Sequence, residues 1–217
     1  MTNKLNLFLV VFLCLASALA CNKITDLAKN ASNSSETKNT EKTKLPATEF
    51  SLEGKDWKFY DIKGTDISIE MPGEPIDRSP KPEQLPPSYR AIFSGMHISA
   101  LDERGLSIAA SQLDPTGKRK FTIKELADTS MQAMKRQLPD LKYELEVVSE
   151  TKAKYNGTFT KNGKEYDVRG CCLYKKTDPL RVWAIITYFD KANGDAKIAA
   201  ERAVAGVKFA GGTETCN

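Results

Sequence analysis

The run Val182-Trp183-Ala184-Ile185-Ile186-Thr187-Tyr188-Phe189 constrains the fold more than any other stretch of this chain. Its β-branched and aromatic residues favour a strand, and it is far too short to span a membrane as a helix. A strand with one wet face alternates apolar and polar side chains, but this one is apolar on both faces. It therefore belongs in the middle of a sheet that is covered on both sides.

The segments around it read as hairpins. Trp57 to Ile62 and Ile67 to Met71 flank the turn Lys63-Gly64-Thr65-Asp66, and Ile67, Ile69 and Met71 alternate with Ser68 and Glu70. Such period-two alternation is that of a half-buried strand, and Pro72-Gly73-Glu74-Pro75 ends it. A stretch with Pro80, Pro82, Pro86 and Pro87 is expected to be a stiff surface connection. Tyr89 to Leu101 and Leu106 to Leu113 then flank Asp102-Glu103-Arg104-Gly105 as a second hairpin. Thr122 and Glu125 form a capping box, after which Ile123, Leu126, Ser130, Ala133, Met134 and Leu138 recur at helical spacing until Pro139. Tyr143, Leu145 and Val147 give another strand, and Tyr155-Asn156-Gly157 reads as a turn. Glu165 to Lys175 and Arg181 to Phe189 make a long hairpin about Thr177-Asp178-Pro179-Leu180, and Asp195 is placed to cap an alanine-rich helix reaching Ala205. Strands that follow one another through hairpins exclude a doubly wound fold. The expectation is an α+β domain, an antiparallel β-sheet of about six to eight strands with two main helices packed on it.

The N-terminus has a different character. Lys4 precedes the apolar stretch Leu5 to Leu15, and Ser17-Ala18-Leu19-Ala20 leads to Cys21. A charged start, an apolar middle and a small-residue cleavage site make residues 1–20 a secretory signal peptide, too short for a permanent membrane span. Ser17-Ala18-Leu19-Ala20-Cys21 resembles the bacterial lipobox, which implies that Cys21 is lipidated and anchors the mature chain to a membrane. Ala18-Leu19-Ala20 also fits an ordinary A-x-A site, so plain secretion remains the alternative. Residues 22–48 hold many Asn, Ser, Thr, Lys and Glu and no aromatic, so with Cys21 they form a disordered, lipidated tether over 21–48. The domain then occupies 49–210, and 211–217 is expected to be a flexible tail containing Cys216.

The net charge of the whole chain is +4; Lys4 is the only charge in residues 1–20, so the mature chain carries one fewer, +3. That is too mild, and too evenly spread, for a nucleic-acid binder. Binding partners are therefore sought among the membrane, through the anchor, and envelope proteins.

Asp66-Ile67-Ser68-Ile69-Glu70-Met71-Pro72-Gly73-Glu74-Pro75 resembles the opening x-F-S-V-x-M-P-G-x-P of bacterial envelope proteins similar to the PsbP-like superfamily. Arg181 to Tyr188, followed by a helix reaching Val207-Lys208-Phe209, resembles their close. Ile67 stands where that motif has an aromatic residue, and no ligand set of the superfamily maps onto this chain. The resemblance implies an α-β-α sandwich that serves as a binding or assembly module without catalysis.

Candidates for chemistry are few. His97 is the only histidine, so a triad, a zinc site or a Cys-His pair would have to use it. No Gly-rich phosphate loop, HExxH, GxSxG or CxxC occurs. No catalytic residue, cofactor or metal site is assigned. Cys171 and Cys172 are adjacent in a strand and so point to opposite faces. In an oxidising compartment Cys216 can pair with either Cys171 or Cys172. Without lipidation, Cys21, Cys171, Cys172 and Cys216 make an even set. Glu144, Glu146 and Glu150 read as a solvated face, and Trp57, Phe59 and Tyr60 as packing. The expected function is an exported, lipid-anchored envelope protein acting as a non-catalytic binding or assembly module. The competing expectation is an envelope enzyme, a hydrolase or thiol-dependent redox protein, using His97 or the Cys171/Cys172 pair.

Overall fold

The computed structural model describes residues 49–217. The expected signal peptide, Cys21 and the expected tether lie outside the described residues. In chain order the elements are β1 (Lys58–Asp61), β2 (Ile67–Met71), β3 (Ile76–Asp77), α1 (Pro87–Arg90), β4 (Phe93–Glu103) and β5 (Leu106–Pro115). There follow α2 (Ile123–Gln137), β6 (Lys142–Ser149), β7 (Lys152–Lys161), β8 (Lys164–Lys175) and β9 (Arg181–Asp190). The chain closes with α3 (Gly194–Gly206), β10 (Lys208–Phe209) and β11 (Glu214–Thr215). The architecture is α+β, with two antiparallel sheets: seven strands in the order β3-β4-β5-β9-β8-β7-β6, and four in the order β1-β2-β10-β11.

The doubly apolar run is β9, fourth in the order of the large sheet, between β5 and β8. Its even-numbered Val182 and Ile186 face α2, together with Val168, Cys172 and the helix residues Leu126, Met131 and Met134. Its odd-numbered Trp183, Ile185 and Phe189 face the other way, onto Ile67, Ile69 and Met71 of β2 and the alanines of α3. The sheet thus divides two hydrophobic cores, with a helix on each side. Ala196, Ala199, Ala200 and Ala203 form the buried stripe of α3, and side chains that small let the helix lie close to the sheet. The Trp183 indole N–H is buried but satisfied, donating to Gln112 Oε1 at 2.9 Å.

The predicted capping box is formed: Thr122 Oγ1 accepts from the Glu125 amide at 3.2 Å, and Glu125 Oε2 accepts from the Thr122 amide at 3.0 Å. Other local expectations fail. Tyr155-Asn156-Gly157 lies inside β7, and the turn there is Asn162-Gly163, both at positive φ. Gly157 serves a different need: a Cβ on it would sit 2.7 Å from the Lys142 carbonyl of β6. Asp195 does not cap α3; Asn193 does, its side chain accepting from the Ala196 amide at 3.0 Å. Asp195 Oδ2 instead receives the Leu52 amide at 2.9 Å and so holds the start of the domain against α3. Tyr89, expected to begin a strand, lies in α1, where Pro87 at the first turn favours the helix. Leu85 and Tyr89 are buried, so the proline-rich stretch is more than a surface connection. Residues 211–217, expected as a flexible tail, turn at Gly211 and Gly212 (φ 72° and 92°), and β11 then pairs with β10.

Candidate functional site

The cysteines separate as strand alternation requires. Cys171 points into the α3 side and is joined to Cys216 in a disulfide with the Cα atoms 5.7 Å apart, within the ordinary range. Cys172 points to the α2 side, a buried free thiol. Burial pushes it up to about 12, with the neighbouring Tyr155 hydroxyl pulling weakly the other way. A reactive cysteine needs a thiolate and access, and Cys172 has neither.

His97, in β4, lies on the α3 side at the end of the sheet. Its Nε2 stands 3.9 Å from Asp114 Oδ2. Asp114 Oδ1 accepts from Gln112 Nε2 at 2.9 Å and lies 3.4 Å from Arg181 Nε. Gln112 Oε1 in turn accepts from the Asp66 amide and the Trp183 indole, both at 2.9 Å. Gly64, at φ +75°, seats the β1–β2 turn directly on the imidazole: a Cβ there would lie 2.9 Å from His97 Cε1. This network ties that turn to β5 and β9. Its members are spent on one another, which is a structural use of His97. Among the described residues, no three His, Cys, Asp or Glu side chains come together as a metal site.

An opening with a mostly apolar lining is on the opposite face, between α2 and strands β4, β5 and β9. Its floor follows from register. Ser111 of β5 is paired with Ala184 of β9, and Ala184 with Cys172 of β8; one row along, Ala109 is paired with Ile186, and Ile186 with Gly170. Small residues side by side hollow the sheet surface, and α2 does not fill the hollow. The result is a cleft with a cavity of about 60 Å³. Phe93, Met96, Ile98, Leu126 and Val182 make its walls apolar, and Thr129 and Ser130 of α2 add hydroxyls. One wall is stiffened by a ring stack: Tyr89 on Phe93 with centroids 4.6 Å apart, and Phe93 on Phe121 at 5.4 Å. At the mouth, Arg119 lies over the Phe121 ring at 5.0 Å and 3.8 Å from Glu125.

None of the residues singled out for chemistry lines this cleft. It was hidden because it is a product of pairing between distant strands; the signal that hinted at it is the small-residue alternation of Ala109 and Ser111 in β5 with Ala184 in β9. Of the aromatics read as packing, Trp57 and Tyr60 pack on the α3-side core, while Phe59 is half exposed beneath Lys208 Nζ, 4.6 Å from its centroid. Glu144, Glu146 and Glu150 are exposed, as expected of a solvated face. No helix among the described residues is long and apolar enough to cross a membrane.

No family model and no curated protein matches the chain. Among solved structures it is similar to the Ran-binding protein Mog1p of Saccharomyces cerevisiae, with TM-score 0.44, 12% identity, and coverage of 72% of this chain and 97% of that one. It is also similar to LpqN of Mycobacterium tuberculosis, involved in cell envelope biogenesis, with TM-score 0.37, 15% identity, and coverage of 67% and 91% respectively. Likeness of this degree carries no argument for function.

Proposed function

We propose that this protein is a non-catalytic binding module of the cell envelope, exported by residues 1–20 and anchored through lipid on Cys21, and that it binds through the cleft under α2. The observation that carries the binding role is the cleft itself: a preformed apolar hollow with hydroxyls and one ion pair at its edge, the composition usual for ligand sites. The anchor rests on Ser17-Ala18-Leu19-Ala20-Cys21 and on the polar stretch that follows. The helices on both sheet faces support the α-β-α sandwich that the resemblance to the PsbP-like superfamily implies. An envelope protein partner would meet the same rim.

The test is occupancy of the cleft. N-phenyl-1-naphthylamine, a neutral dye that fluoresces in apolar sites, is titrated into the wild type, Ser111→Leu and Ala109→Trp. The expected result is saturable binding to the wild type that weakens in Ser111→Leu and is lost in Ala109→Trp, with melting curves confirming both folds. Equal binding by all three proteins would sink the proposal. The anchor is tested separately by the mass of the protein extracted from its own membranes: cleavage before Cys21 plus acyl chains is expected, and an unacylated mass would contradict it.

A further inference from the structure

The dimensions and charge of the cleft narrow its ligand, and this inference rests on the binding role just proposed. The cavity of about 60 Å³ is small and opens to solvent. A flexible aliphatic chain suits a small apolar hollow of this kind, with its end between α2 and the sheet. The walls agree, being aliphatic and aromatic with few polar groups. The mouth is of the opposite character. Lys118, Arg119 and Lys120 are consecutive and exposed, immediately before Phe121, and Lys124 is exposed on the first turn of α2. Arg119, Phe121 and Glu125 line the cleft, so each of these three lysines is next in sequence to a lining residue. The one acid at the mouth, Glu125, is already engaged by the Thr122 amide in the helix cap. Arg119 and Glu125 offset one another, and Lys118, Lys120 and Lys124 leave the mouth electropositive.

We propose that the cleft binds a free single-chain amphiphile with an anionic head, such as a medium-chain carboxylate. The tail end enters between α2 and the floor of Ala109, Ser111 and Ala184, and the head stays in water beside Lys118, Arg119, Lys120 and Lys124. Because the head remains solvated, no buried charge has to be paired, and the contribution of the lysines is screened by salt.

The experiment displaces N-phenyl-1-naphthylamine from the full mature protein with dodecanoate, with dodecan-1-ol as the neutral chain of equal length, and with phosphatidylglycerol vesicles. Two or three exposed charge pairs, each worth a few-fold, predict that dodecanoate binds about tenfold tighter than dodecanol at low salt. That ratio falls towards one in 0.5 M NaCl (chosen as a roughly fivefold excess over the salt that already screens beyond ~10 Å). It falls likewise in Lys118→Gln/Lys120→Gln/Lys124→Gln, and Lys118→Arg/Lys120→Arg/Lys124→Arg restores it. Equal affinity for dodecanoate and dodecanol in the wild type would overturn the anionic head while leaving the cleft as a binding site. Displacement by vesicles alone would overturn the free amphiphile in favour of a bilayer. Failure of the dye itself to bind would overturn the cleft reading, and this inference with it.

Discussion

Replacing Cys216 with alanine opens the only covalent link between the chain end and the large sheet among the described residues. Cys171 and Cys216 are separated by 45 residues. In the chain-entropy description, closing a loop of that length removes denatured-state freedom worth about 4 kcal/mol at 25 °C. The native cost is smaller, because alanine keeps Cβ and the site is a buried corner of the α3-side core. For a domain of this size each kcal/mol moves the melting temperature by about 2–4 °C, so Cys216→Ala is expected to melt roughly 10 °C below the wild type. Calorimetry of the oxidised proteins measures this, and wild type with a phosphine reductant supplies the control, since it should fall to the same temperature. A variant within about 2 °C of the wild type would refute the reasoning, because such a shift corresponds to no more than ~1 kcal/mol.

Other positions give equally definite expectations. A Cβ on Gly170 would lie 2.1 Å from the Ile185 carbonyl and 2.9 Å from the Tyr155 ring. Gly170→Ala therefore must part β8 from β9 and is expected to cost at least ~3 kcal/mol, measured by urea titration. A Gly170→Ala protein of wild-type stability would contradict the pairing. Burial pushes the Asp190 carboxyl up, but the Lys164 ammonium at 2.7 Å and the Ala192 amide outweigh it and hold the group below its usual range. A depressed carboxyl adds stability above its unfolded value, and that stability is lost as pH falls through the folded one. Asp190→Asn should thus destabilise the protein at pH 7 and flatten the loss of stability below about pH 4. Parallel stability–pH curves for the two proteins would argue against it.

How much was legible in the chain depended on the range of the interaction. The central strand was readable because an apolar run on both faces has one solution, and the α2 cap because Thr122 and Glu125 lie three residues apart. The turn at 155–157 was misread because Asn-Gly favours a hairpin locally, whereas Gly157 is needed for close approach to Lys142, a contact with another strand. Asp195 lost the cap of α3 to Asn193 because its carboxylate had a distant partner in the Leu52 amide. The cleft was illegible for the same reason in larger form. Nothing within β5 or β9 alone shows that Ser111 will sit beside Ala184, and it is that pairing that leaves α2 standing over a hollow. His97 attracted attention as a lone histidine, yet Gly64, Asp114, Gln112 and Arg181 turn it into a fastener for the β1–β2 turn.

The central claim is that ligand enters under α2 and not at the histidine end of the sheet. A nitrogen-15 NMR titration of the mature protein with dodecanoate tests it residue by residue. The account predicts saturable shifts at the amides of Ala109, Ser111, Phe121, Thr129 and Ala184, with Gly64, His97 and Asp114 unmoved. Shifts gathered at Gly64, His97 and Asp114, with the cleft silent, would contradict it.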